Sequence, residues 1–198
     1  MIMNITDLRN DVSISAKNGI SFLCSGVFIW VLMTIIYFLP MKIGLQNILA
    51  LYSTGLMLPL AILLSRMIKV KWNDKENPLS RLGLILNVAQ FIYFPIIFWM
   101  LFSNPNEFIV FFAIVTGAHF FPYGWLYKAK AYYWFAPIIS IAVFIIGSYV
   151  GDEFIWLIPM TVPILLVILI SFLYTDYRRK IDDRALRMEE FLSKTNFS

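Results

Sequence analysis

Charge is scarce in this chain: 14% of its 198 residues are Asp, Glu, Lys or Arg, against 60% hydrophobic and 17% aromatic. A soluble domain keeps about a quarter of its residues charged, so this composition excludes a water-soluble fold and makes lipid the natural solvent. Cysteine is nearly absent. Cys24 stands alone in an apolar run, which excludes an intrachain disulfide and a cysteine-based metal cluster. His119 is the only histidine, so haem held by two histidines of one chain is excluded and a metal would lack partners. Also missing are a Gly-x-Ser-x-Gly elbow, a His-Glu-x-x-His pair, a phosphate-cradling glycine loop and paired carboxylates inside the apolar runs. The sequence therefore yields no catalytic residue, no metal site and no cofactor. The net charge of +4 does not imply nucleic acid, because the basic residues are spread between apolar runs rather than gathered into a patch.

The apolar runs themselves set the fold class. A helix needs about 20 mostly apolar residues to cross a hydrocarbon core of about 30 Å. That length occurs at residues 19–41, 43–65, 82–102, 108–127, 132–150 and 154–174. The expectation is an all-α, polytopic bundle of six transmembrane helices, with short connections that make sequential neighbours antiparallel. The first run exceeds the apolar core of a secretory signal and no small-residue cleavage site follows it, so it is expected to stay as a span. Residues 1–18 and 175–198 flank this membrane domain.

Basic residues in short loops remain on the cytoplasmic side. With six spans, all of the 16 Lys and Arg residues except Lys42 fall on one side, together with both termini. This predicts cytoplasmic termini. Tyr and Trp gather at the expected headgroup levels, with Trp125, Tyr127, Tyr132, Tyr133, Trp134, Tyr174 and Tyr177 inside and Tyr37, Trp99, Tyr149 and Trp156 outside. In the tail, Ile181, Ala185, Met188 and Leu192 repeat at helical spacing among Arg178, Arg179, Lys180, Arg184 and Arg187. Such a helix is expected to lie on an anionic inner leaflet, although a solvated charged tail suits the same residues. Ile5, Leu8, Val12 and Ala16 form a weaker stripe of the same kind near the N-terminus.

No Asp, Glu, Lys or Arg lies well inside a span, so the usual mark of ion-coupled transport is missing. Polar residues do occur there. Asn87 and Gln90 form a stripe on the third span, and Thr116, His119 and Tyr123 form one on the fourth. At 1.5 Å per residue, His119 and Gln90 both sit about 13 Å from the cytoplasmic boundary. The two stripes are expected to face each other across a short outer connection, exchanging hydrogen bonds that lipid cannot supply. Pro122 lacks an N–H for the Ala118 carbonyl and predicts a kink beside His119. Pro59, Pro95, Pro137, Pro159 and Pro163 recur in other spans, where proline serves packing more often than it lines a pathway. Ser140, Ser148 and Ser171 are expected to bond their own helices. The pairs Ser21 with Ser25, Ala113 with Gly117 and Gly147 with Gly151 allow close helix approach.

The Asn77-Pro78-Leu79 start of the third span, the Tyr93-Phe94-Pro95 run and Gly117-Ala118-His119-Phe120 followed by Pro122-Tyr123 resemble a family of uncharacterised six-span bacterial membrane proteins. The resemblance covers nearly the whole chain and implies a bacterial cytoplasmic membrane, with no activity to carry over. Three functions remain open. The leading one is a permease-like unit with a cytoplasm-facing pocket for a small or amphiphilic ligand, bound by His119, Tyr123, Thr116, Asn87 and Gln90. The alternative is a regulatory, immunity or assembly component that acts through another membrane protein or through a homo-oligomer. An intramembrane enzyme comes third, and would need a hydroxyl or thiol within reach of the imidazole.

Overall fold

A computed structural model describes residues 4–71 and 77–195. Lys75, a basic residue between spans two and three, lies outside the described residues. Every regular element among the described residues is helical, and six stretches are long and apolar enough to cross a membrane. Ahead of the first lies α1 (Ile5–Ser15), whose free N–H groups begin with the Asn4 side chain accepting from Thr6 N. Span one is α2 (Ile20–Phe38). Span two comprises α3 (Ile43–Ser53) and α4 (Met57–Met67), and span three α5 (Ser80–Ala89) and α6 (Phe94–Ser103). Span four comprises α7 (Phe108–Ala118) and α8 (Phe121–Leu126), followed by α9 (Lys130–Tyr149) as span five and α10 (Leu157–Thr195) as span six.

Apolar burial gives no driving force between helices in lipid, so small side chains, close contacts and hydrogen bonds decide the packing. Span six is the axis. Ile158, Val162, Leu166, Leu169 and Leu173 form one fully buried stripe at helical spacing, and α10 packs on α2, α9 and α7. Glycine brings spans four and five together. A Cβ on Gly117 would meet Ser140 Oγ at 2.6 Å and Ser140 N at 3.0 Å, and one on Gly147 would meet Val110 at 2.8 Å. A Cβ on Gly151 would meet nothing, so of the Gly147 and Gly151 pair only the first is a packing position. Spans one and two are joined by Ser65 Oγ donating to Ser21 Oγ at 2.9 Å.

The breaks follow proline. A 3-10 turn at Thr54–Leu56 precedes Pro59, another at Gln90–Tyr93 precedes Pro95, and the turn at His119 and Phe120 precedes Pro122. Each missing N–H frees a carbonyl four residues earlier and loosens the helix there. Pro137 and Pro163 lie inside unbroken helices. Proline alone therefore does not dictate a break.

Both termini meet on one face of the bundle. Lys17, Asn18 and Gly19 all adopt positive φ, turning the chain sharply from α1 into span one. Asn18 is fully buried: its amide donates to the Leu173 carbonyl and to the Asp176 carboxylate, both at 2.9 Å, while its own oxygen accepts from Ser13 Oγ at 2.6 Å. Lys180 reaches the same place from span six, donating to Ser13 Oγ, to the Tyr127 carbonyl and to Asp176. Arg9 stacks over Trp125 and donates to its carbonyl, and Lys17 donates to the Ile68 carbonyl. The second and fourth connections between spans are thus tied to α1 and the turn that follows it.

Several expectations change here. The tail is no separate helix in the leaflet plane, because α10 continues from span six to Thr195 without interruption. Lys180 and Arg184, expected to reach lipid, pair with protein groups, the latter with Asp11 at 3.1 Å. Val12 and Ala16 of the N-terminal stripe pack into the bundle base, while Ile5 stays exposed. Tyr37, Tyr127 and Tyr132 are buried and do not belong to an aromatic belt. Tyr37 instead donates to Asn47, whose amide donates to the Pro105 carbonyl and ties together two connections on the opposite face.

Candidate functional site

Spans one to four enclose a cavity of about 280 Å³. All three helix breaks open onto it: Thr54 and Gly55 from span two, Gln90 and Phe91 from span three, His119 and Phe120 from span four. Trp30 and Met33 of span one and Leu166 of span six complete the wall. The five residues singled out in the sequence, Asn87, Gln90, Thr116, His119 and Tyr123, all line it.

They share the space without being bonded to one another, contrary to the expected exchange between stripes. Asn87 Nδ2 donates to the Gly83 carbonyl of its own helix at 3.2 Å, and Thr116 Oγ1 to that of Phe112 at 2.9 Å. His119 Nδ1 lies 2.6 Å from the Thr116 carbonyl. One bond crosses between the spans, from the Tyr123 hydroxyl to the Gly83 carbonyl at 3.5 Å, which is long for such a bond. The reason is local: Asn87 and Thr116 bond the carbonyl four residues back, as short polar side chains in helices do, and His119 takes the Thr116 carbonyl that the break beside it leaves free.

The His119 bond has a chemical consequence. A carbonyl only accepts, so Nδ1 carries the hydrogen, and in the neutral ring Nε2 is left with a lone pair. No acidic side chain lines the cavity among the described residues, so nothing there partners an imidazolium and the neutral ring is the form that fits. Nε2 has no hydrogen-bond partner among the described residues, nor does the Gln90 amide. Among the described residues the cavity thus presents the Nε2 acceptor, the Gln90 amide and the Tyr127 hydroxyl without hydrogen bonds, in walls made mostly of Leu, Met, Phe and Trp.

Toward the face bearing the termini the cavity is shut. Tyr123, Tyr127 and Tyr132 stand ring against ring with centroids about 6 Å apart, all buried, and Tyr132 donates to the Asn18 carbonyl at 2.7 Å. Gly19 is required beneath them, since a Cβ would lie 2.9 Å from Tyr127. The opening expected on the side of the termini is not seen among the described residues. The open side lies between spans two and three, which pack on spans one and four respectively and scarcely touch each other. There the lining residues Gly55, Leu58, Leu84, Val88 and Phe91 are exposed at the bundle surface.

Sequence reasoning missed Asn18, Ser13 and Lys180, which hold the closed end. The polar Asn18 between Lys17 and Gly19 at the mouth of an apolar run was the available signal. Ser140, Ser148 and Ser171 each donate to a backbone carbonyl, Ser140 to both Ile114 and Ala136, and none bonds the imidazole.

Six helices long and apolar enough to cross a membrane, around a cavity onto which three helix breaks open, are the fold of a multi-pass membrane protein. The chain matches a family of unknown function, DUF7010, over residues 5–176, and belongs to that family. No curated protein and no solved structure matches it.

Proposed function

We propose that this protein binds a small amphiphilic ligand inside the membrane, in the manner of a permease, with His119 as the polar anchor. The observation that carries this reading is the meeting of three interrupted helices at one cavity. Interrupted helices at membrane depth are tolerated where they line a cavity, and they supply binding groups in many transporters. A volume near 300 Å³ with few polar groups in apolar walls lies at the lower end of small-molecule sites. The strong bias of basic residues supports cytoplasmic termini, and the resemblance described above supports a bacterial cytoplasmic membrane.

Nile red, an apolar dye sensitive to its surroundings, tests the site with purified full-length protein in nanodiscs. Saturable binding near one dye per chain is expected, with loss in Thr116→Phe, which fills the cavity. Dye uptake that rises linearly with lipid, unchanged by Thr116→Phe, would sink the proposal. A second reading, a partner-binding or assembly role, is favoured by span three alone. Its residues Ile92, Trp99 and Phe102 are among the most exposed apolar side chains of the bundle, as suits a helix offered to lipid or to another membrane protein.

A further inference from the structure

The open side of the cavity and the free nitrogen within it bear on which ligand enters and by what route. Spans two and three scarcely touch, and both are interrupted where they line the cavity, at Thr54–Leu56 and Gln90–Tyr93. A gap at that depth faces hydrocarbon, because these spans are long and apolar enough to cross the bilayer. Its rim is apolar on both sides, with Leu58 and Phe91 each more than half exposed. The other end is sealed by the three tyrosines and by the Asn18 and Lys180 bonds behind them. A water-soluble solute has no open path on this side of the bundle, whereas a molecule already dissolved in the bilayer meets the gap directly.

The chemistry inside narrows the occupant. Nε2 of His119 accepts and cannot donate in the tautomer that the Thr116 carbonyl fixes. It recognises an O–H or N–H. A carbonyl or ether oxygen finds no donor at this atom. The Gln90 amide, uncommitted in the same cavity, donates as well as accepts, which completes the needs of a hydroxyl. An ionised headgroup is disfavoured, since no charged side chain lines the space among the described residues.

Resting on the binding role proposed above, we infer that the ligand is a neutral, hydroxyl-bearing, single-chain amphiphile. It enters sideways from the bilayer between spans two and three, sets its hydroxyl on His119 Nε2 and leaves its chain in the gap.

The test uses the full chain in nanodiscs of mixed phosphatidylcholine and phosphatidylglycerol, with a diazirine-bearing dodecanol as the probe. Illumination should attach it to cavity residues such as Trp30 and Phe112, saturably and in competition with dodecanol. Dodecyl methyl ether, which cannot donate, should compete about five- to tenfold more weakly, the worth of one hydrogen bond. His119→Leu should remove that difference, and His119→Gln, which keeps an acceptor, should restore part of it. Gly55→Phe should block the gap; a Cβ at Gly55 meets nothing within 4 Å, so the variant has room to fold, and Leu58→Trp provides an independent block. Saturable cavity labelling that survives both blocks overturns sideways access and leaves the binding role standing. Equal competition by the ether overturns the hydroxyl requirement. Labelling confined to lipid-facing residues, with no competition, overturns the binding role itself.

Discussion

The Lys180 ammonium donates to the Ser13 hydroxyl at 2.9 Å, a bond between residues 167 positions apart that fastens the helix leaving the last span to the helix preceding the first. The same ammonium satisfies the Tyr127 carbonyl at 2.9 Å and the Lys128 carbonyl at 3.2 Å. One side chain thus ties together three segments at the face that carries both terminal segments.

Removing it should cost more than removing its exposed neighbour. Lys180→Met strands the Asp176 carboxylate and several backbone and hydroxyl acceptors, a loss on the order of 2 kcal/mol. Arg184→Met breaks the pair with Asp11, in which Arg184 is 56% exposed, and should cost less than about 1 kcal/mol. Thermal unfolding of the two variants in one detergent compares them; equal midpoints would show that Lys180 is not structural.

Gly19→Ala should be strongly destabilising, because φ is +78° and the new methyl would press on Tyr127. A loss of about 1–3 kcal/mol is expected from strain and overpacking together. Gly44→Ala, with open space around it, serves as the control and should unfold within about 0.5 kcal/mol of the parent.

Gly117→Ala should separate spans four and five, since the new methyl would meet the backbone nitrogen of Ser140 and not merely a side-chain tip. Gly147→Ala meets only the Val110 side chain, which can turn aside. The first variant should therefore lose more stability in the same unfolding assay, by about 1 kcal/mol or more. The reverse order would show that the Ser140 contact yields easily.

Orientation is open to chemical labelling. On a background lacking Cys24, cysteine at Lys69 or Arg187 should be shielded from an impermeant maleimide in intact cells, and cysteine at Glu107 or Asp152 should react. Strong external labelling at Lys69 or Arg187 would reverse the assignment of both termini to the cytoplasm.

The unbroken course of α10 fixes a distance. Spin labels at Phe172 and Met188, both exposed, should lie about 24 Å apart along the axis with a narrow distribution, at 1.5 Å per residue. A broad distribution or a markedly shorter mean would show a joint between span and tail.

The six spans were legible because their length, the turn residues between them and the placement of Lys and Arg all depend on local sequence. Gln90 and His119 were singled out for the same reason, and both line one cavity. Their bonding was not legible. A polar side chain in a helix can always turn back to the carbonyl four residues earlier, as Ser148 and Ser171 do where no break occurs, and only the packed distances decide whether a neighbouring span competes. The closed tyrosine end was hidden because Tyr127 and Tyr132 have the composition of an interface belt and become buried only through α1, the Asn18 turn and the base of α10. The tail was misread because an amphipathic stripe specifies a helix and not the direction in which it leaves the bundle.

Leu166 is one turn of a rod whose far end is Thr195. A helix of 39 residues is about 58 Å long, nearly twice the hydrocarbon thickness, and it has no joint at which the portion beyond the bilayer could swivel independently. A torque applied to the protruding part is therefore delivered to the cavity wall as well as to Lys180 and Asp176. Anything that grips the tail has, through a single continuous shaft, a hand on the pocket.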